Sequence, residues 1–85
     1  MLKPGDIVTA EITNIAPYGA FCKIGDATGL IHISEFSDFF VKSINDFVEV
    51  GDSVEVEILS FDEDKKQAKL SYKKIRSELL KTDEN

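Results

Sequence analysis

Polar and apolar positions alternate with a period of two over most of the chain, as they do in strands that turn one face to a core. Over residues 7–14, Val8, Ala10 and Ile12 alternate with Thr9, Glu11 and Thr13, which predicts a first strand with its even positions inward. Over residues 53 to about 61, Val54, Val56 and Ile58 alternate with Glu55 and Glu57, the cleanest such run in the sequence. A final run sets Ala68, Leu70 and Tyr72 against Lys69 and Ser71. Residues 18–34 read as two further short strands joined by the turn dipeptide Gly25-Asp26. About five strands of this length predict an all-β fold, a small closed barrel.

Two strands open in the same way, after Pro4-Gly5-Asp6 and after Val50-Gly51-Asp52. The shared Gly-Asp-x-Val is read as turn chemistry and not as an internal duplication, because the flanking residues do not match. Between the third and fourth strands the alternation stops. Ser34-Glu35-Phe36-Ser37-Asp38 begins with a residue suited to an N-cap and predicts one short helical turn. Phe36, Phe39, Phe40, Val41, Ile44, Phe47 and Val48 follow at spacings too irregular for a long helix, and are expected to plug an open end of the barrel. Phe39 and Phe40 are adjacent, so at least one of them is expected at the surface. The domain is expected to span residues 1–73. Residues 74–85 form an extension in which a short helix carries Ile75, Leu79 and Leu80 before the last four residues fray.

Composition narrows the function classes. A chain of 85 residues buries one modest core, so a single domain is expected. No apolar run approaches the length of a membrane span or a signal peptide, and a cytoplasmic monomer without membrane contact is the expectation. One cysteine and one histidine argue against a disulfide and against a protein-only metal site, and no cofactor is implied. The net charge of −6 opposes a general electrostatic grip on nucleic acid, but the charge is polarised along the chain. Residues 45–64 carry acids and no base, whereas residues 65–76 carry Lys65, Lys66, Lys69, Lys73, Lys74 and Arg76 and no acid. A positive flank of this kind is able to hold phosphates if a stacking surface lies beside it.

The rings that would make such a surface are Tyr18, Phe21 and His32. Strict alternation puts Tyr18 with Ala20 and Cys22 on one side of the second strand, and Phe21 with Gly19 and Lys23 on the other. Either one ring lies in the core, or a bulge or strong twist near Gly19 brings both rings to one face. His32 is out of phase with Ile31 and Ile33 and is placed outside the core, while the placement of Leu30 stays open. Ser34 and Ser37 lie near His32 in sequence, but no nucleophile elbow, phosphate-binding glycine loop or metal-ligand spacing is present. Enzymatic activity is not expected. Flat rings on a sheet suit unpaired nucleobases, for which stacking contributes about 1–3 kcal/mol per base.

Tyr18-Gly19-Ala20-Phe21, then Gly29-Leu30-Ile31-His32-Ile33-Ser34-Glu35, Val50-Gly51-Asp52-Ser53-Val54 and Ala68-Lys69-Leu70-Ser71, together resemble the S1 domain, an RNA-binding module built as a small OB-fold barrel. The resemblance covers roughly residues 3–73. The run Phe40-Val41-Lys42-Ser43-Ile44-Asn45 is similar to small stand-alone bacterial S1 proteins of the general stress protein 13 type. The resemblance implies a five-stranded OB-fold that binds single-stranded RNA and acts in translation or RNA metabolism with the ribosome as a partner. It implies that Tyr18 and Phe21 stack on bases and that His32 stacks or hydrogen-bonds beside them, with Lys23 on the backbone. Asp62 matches an acidic residue at the end of the fourth strand. The basic residue that follows in the family is Lys66 when counted from Asp62, but that position falls on Gln67 when counted back from Leu70. A protein-interaction module is the alternative, docking a ribosomal or RNA-processing partner through the acids of residues 46–64 or through Phe39 and Phe40.

Overall fold

The computed structural model describes residues 2–76. Five strands, β1 (Ile7–Ala16), β2 (Gly19–Ile24), β3 (Ala27–His32), β4 (Ser53–Asp62) and β5 (Gln67–Ser71), close into a barrel in the order β1-β2-β3-β5-β4, with β4 pairing back onto β1. All neighbours are antiparallel except β3 and β5, which run parallel. This is the expected all-β, five-stranded architecture. Period-two alternation decides what fills it: Ala10, Ile12, Ala20, Cys22, Ile31, Val56, Ile58, Ala68 and Leu70 all point inward and are buried.

The repeated Gly-Asp turns brace the β1–β4 pair from opposite ends. Gly5 and Gly51 both take a positive φ, 93° and 98°, a conformation without a Cβ penalty only for glycine. The aspartate after each accepts from a backbone N–H three residues earlier, Asp6 from Lys3 at 3.2 Å and Asp52 from Glu49 at 2.9 Å. Gly5 N–H then donates to Ile58 O and Gly51 N–H to Ile12 O, at 2.7 and 2.8 Å, so each turn is tied to the opposite strand. Just beyond each anchor the ladder slips, in β1 between Ile12 and Asn14 and in β4 between Ile58 and Ser60.

The slip in β1 is where the structure departs from the expected bulge near Gly19. Gly19 sits in regular β2 opposite His32, and the irregularity lies on the partner strand at Thr13. Glycine is needed at position 19 for space: a Cβ there would stand 2.6 Å from Ile31 O and 3.0 Å from Leu30 Cδ1.

The segment between β3 and β4 plugs the barrel largely as expected. Phe36 is fully buried, with its ring 5.6 Å from that of Phe47 and 5.3 Å from that of Tyr72, and Val41, Ile44 and Val48 are buried around it. Two members of the expected plug do not join it, for Phe39 and Phe40 are 59% and 90% exposed. The helical turn is a short 3-10 turn, Ile33–Glu35, and its cap is His32 instead of Ser34, because the Ser34 N–H donates to the imidazole. Lys73–Ile75 forms another 3-10 turn after β5 that ends in extended backbone at Arg76, and the rest of the expected C-terminal helix, from residue 77 on, lies outside the described residues.

Two outcomes are expected from this packing. Gly19→Ala forces a methyl group against the Ile31 carbonyl and should lower stability by about 1–3 kcal/mol in thermal unfolding; an unchanged midpoint would show that the β2–β3 pair yields at no cost. Burial pushes the Cys22 thiol up to about 12 from 9.0. As pH rises through 9, the unfolded thiol ionises while the folded one keeps its proton, so stability should fall by about 1 kcal/mol per pH unit, and Cys22→Ala should remove that component of the pH profile.

Candidate nucleic-acid interface

The pairing register arranges the outward side chains of four strands into transverse rows. One row runs Phe21, Leu30, Lys69, Ser60 across β2, β3, β5 and β4. The next runs Lys23, Thr28, Gln67, Asp62 over the same strands, and Gly19 and His32 begin a row on the other side. Neighbouring strands are about 4.8 Å apart, so side chains in one row touch or nearly touch the next. Leu30, left open by the sequence, is thus an outward residue beside Phe21. The slip at Leu59 resets the phase of β4 and sends Ser60 and Asp62 outward, with the half-buried Phe61 between them.

An open cleft of about 450 Å³ runs over this surface, lined by Phe21, Leu30, Phe61, Asp62, Lys65 and Lys69 among others. Its lining combines the Phe21 and Phe61 rings with Lys65 and Lys69. Tyr18 adjoins it by a route that alternation does not anticipate. It lies in the turn before β2, free of strand parity, and its ring stands edge-on to Phe21 with centroids 6.0 Å apart and planes at 88°. The Ile33 N–H donates to Tyr18 O at 2.8 Å, and Gly19 pairs with His32, so the turn and the imidazole are held at the same end of the face.

His32 is exposed, yet its ring is fixed. The Ser34 N–H donates to Nδ1 at 3.1 Å and Ser34 Oγ lies 2.9 Å from the same nitrogen. With Nδ1 accepting, the neutral ring carries its proton on Nε2 and presents it as a donor. Asp62 is exposed as well, and its Oδ1 accepts from the N–H groups of Asp64 and Lys65 at 3.0 and 3.2 Å, which shapes the β4–β5 turn and sets Lys65 toward the cleft.

Lys66 does not line the cleft. Its backbone takes a positive φ of 52°, and Nζ reaches Asp26 Oδ2 at 3.0 Å in the β2–β3 turn. The ammonium holds the Asp26 carboxyl below its ordinary range, but both side chains are largely exposed, so the pair clasps two turns and contributes little stability. The arrangement therefore brings Phe21 and Asp62 together in one cleft, sets Tyr18 and His32 at its end and Lys23 in the row of Asp62, and leaves Lys66 aside. Phe61 was not singled out by the sequence, Leu30 was left open there, and Lys65 and Lys69 were named only as members of the positive flank of residues 65–76. The outward parity of Lys69 was legible there; the placement of Phe61 was not, since it depends on the slip at Leu59. Glu11, Glu55 and Glu57 lie on the β1–β4 pair, apart from the residues that line the cleft.

Among the described residues, no group of three or more His, Cys, Asp or Glu side chains is placed to hold a metal ion, and no helix is long and apolar enough to cross a membrane. Known proteins share both the sequence and the barrel. General stress protein 13 of Bacillus subtilis is 43% identical over 70 residues, which covers 81% of this chain and 54% of that protein. The solution structure of GSP13 from Bacillus subtilis superposes with a TM-score of 0.85 at 35% identity, covering all of this chain and 66% of that one. The small ribosomal subunit protein bS1 of Staphylococcus saprophyticus is 40% identical over 72 residues, 85% of this chain but only 18% of its own length. A crystal structure of an a/eIF2alpha-aDim2p-rRNA complex from Pyrococcus horikoshii contains a chain that matches with a TM-score of 0.84 at 26% identity, over 93% of this chain and 49% of that one. The chain thus spans about half the length of General stress protein 13 and a smaller part of the ribosomal protein. The family model described as S1 RNA binding domain matches residues 2–73, and with the closed five-stranded barrel and the register of its outer face this shows that the chain belongs to the S1 RNA-binding domain family.

Proposed function

We propose that the chain binds single-stranded RNA along the β2–β3–β5 face and that this binding serves translation or RNA metabolism in association with the ribosome. The observation that carries the reading is the continuity of one row, in which Phe21 and Leu30 supply an apolar floor and Lys69 a cation, with the Tyr18 ring standing beside it. Aromatic faces take bases of any identity, and adjacent lysines take the phosphates between them. Because the Tyr18 and Phe21 rings are perpendicular, two bases stacked on them are not parallel, so the strand turns between them and is held unpaired. His32 Nε2–H donates to a base edge or a 2′-hydroxyl, and Asp62 accepts from a base amine or a 2′-hydroxyl, the group by which RNA differs from DNA. Lys65 and Lys69 hold phosphates in the cleft and Lys23 holds one at the far end of the Asp62 row. A ribosomal protein among the relatives supports the translational setting.

The test is a titration of the full chain with a labelled single-stranded RNA, followed by backbone amide shifts. Shifts are expected at residues 18–23, 30–34 and 65–69. Shifts confined to the acidic residues 46–64 or to Phe39 and Phe40 on adding a candidate ribosomal protein, with none on adding RNA, would favour the protein-docking reading instead. Phe21→Ala should weaken RNA binding by about 1–3 kcal/mol and leave the barrel folded, since the ring is half-exposed; a molten variant would make Phe21 a core residue.

Electrostatics should be secondary. Three phosphate contacts, at Lys23, Lys65 and Lys69, give a slope of log K against log salt of roughly −2 for a single strand. Replacing both Lys65 and Lys69 by alanine should flatten that slope and cost less affinity than replacing both Tyr18 and Phe21. Lys66→Ala should change affinity by less than about twofold, because its charge is already matched by Asp26. Fluorescence anisotropy over a salt series reads all three, and a Lys66 effect larger than that of the Lys65/Lys69 pair would place the phosphate on Lys66.

A further inference from the structure

We propose that Phe39 and Phe40 form a second stacking site that holds the same RNA strand beyond the barrel cleft, on the far side of His32. The proposal rests on the RNA-binding reading above and extends its footprint onto the loop between β3 and β4.

Phe40 is 90% exposed and Phe39 59%, although the plug beside them buries Phe36, Val41, Ile44 and Val48. The fold therefore has apolar residues enough to close the barrel end and still leaves two adjacent rings in solvent. The loop is held at this point. The Phe39 N–H donates to Ser37 Oγ at 3.0 Å, Ser37 is itself buried, and the neighbouring Asp38 carboxylate accepts from Lys73 Nζ at 2.7 Å. With the backbone held here, only the side-chain torsions of the two rings are left to be fixed when a base stacks on them.

Continuity with the cleft identifies the occupant. A shallow pocket of about 380 Å³ is lined by Ile33, Ser34, Asp38, Phe39 and Phe40 among others. Ser34 is also the residue that fixes His32 Nδ1, so this pocket begins where the Tyr18–Phe21–His32 face ends. The acids nearest the rings in sequence are Glu35 and Asp38, the second matched by Lys73, while Asp46, Glu49 and Asp52 lie further along the loop; Lys42 is exposed two residues beyond Phe40. Glu11, Glu55 and Glu57 lie on the β1–β4 pair instead. An RNA strand leaving the cleft past His32 thus meets two exposed rings, with Lys42 as the exposed cation that follows them in sequence. An apolar protein segment would use the rings but not this continuity.

The experiment compares two RNA lengths on the full chain, about four nucleotides, enough for the cleft, and about twelve, enough to reach the loop. With the wild type, the longer RNA should bind more tightly. The Phe39→Ala/Phe40→Ala double variant should lose about five- to tenfold affinity for the longer RNA and stay within about twofold for the shorter one. Phe39→Leu/Phe40→Leu keeps apolar surface but removes the rings, and should bind the longer RNA as weakly as the alanine variant. Unfolding curves matching the wild type check that the exposed rings are not structural. Undiminished binding of the longer RNA by the alanine variant overturns the proposal, as does full binding by the leucine variant, which would make the patch a general apolar surface. Failure of the cleft reading is separate: it would show as a shorter RNA that binds Phe21→Ala as well as it binds the wild type.

Discussion

The parallel pairing of β3 with β5 is the contact on which the rest of the structure depends. It closes the barrel, and it sets Leu30 beside Lys69, joining the aromatic half of the outer face to the basic half. Its requirements are strict. The Leu70 side chain packs so near Gly29 that a Cβ there would stand 2.5 Å from Leu70 Cδ1, and the Thr28 N–H must reach Lys66 O at 2.9 Å just as the β4–β5 turn ends. The left-handed backbone of Lys66 and its ion pair with Asp26 serve that junction. A residue suited by composition to bind phosphate is in this way occupied in bringing two other lysines to the cleft.

The charge distribution follows the same division. A net charge of −6 repels a polyanion at long range, and salt screens that repulsion beyond about 8–10 Å. At contact distance only the local arrangement matters, and there the ammonium groups of Lys65 and Lys69 share a cleft with Phe21. On the proposed reading, such a surface takes partners that offer flat, unpaired rings together with a few phosphates, and a rigid duplex offers the phosphates but hides the rings.

Phenylalanine takes several roles here, set by position. Phe36 fills the barrel end, Phe47 packs against it, Phe61 lies half-buried under the cleft, Phe21 floors it, and Phe39 and Phe40 stand in solvent. Hydrophobicity is the same in each case. What differs is whether the backbone at that point aims the ring into a closed space that another chain segment has not already filled.

The sequence by itself determined the strands, most of their inward faces and the turns between them, because period-two alternation and the Gly-Asp turns act over a few neighbouring residues and leave their pattern in the order of residues. It missed that β5 ends at Ser71, which is buried although alternation set it outward, and that Tyr72 lies beyond the strand. It also determined the family, through motifs spread from Tyr18 to Ser71. The ladder slips at Thr13 and Leu59 were decided only by the tertiary structure, and with them the faces of Ser60, Phe61 and Asp62. So were the release of Tyr18 from strand parity, the capping role of His32, and the choice of Lys65 and Lys69 over Lys66 for the cleft. Each of these hangs on a partner distant in sequence or on a three-dimensional register: Lys66 is turned aside by an aspartate 40 residues earlier, and Lys69 is brought to Leu30 by strands that meet only when the barrel closes.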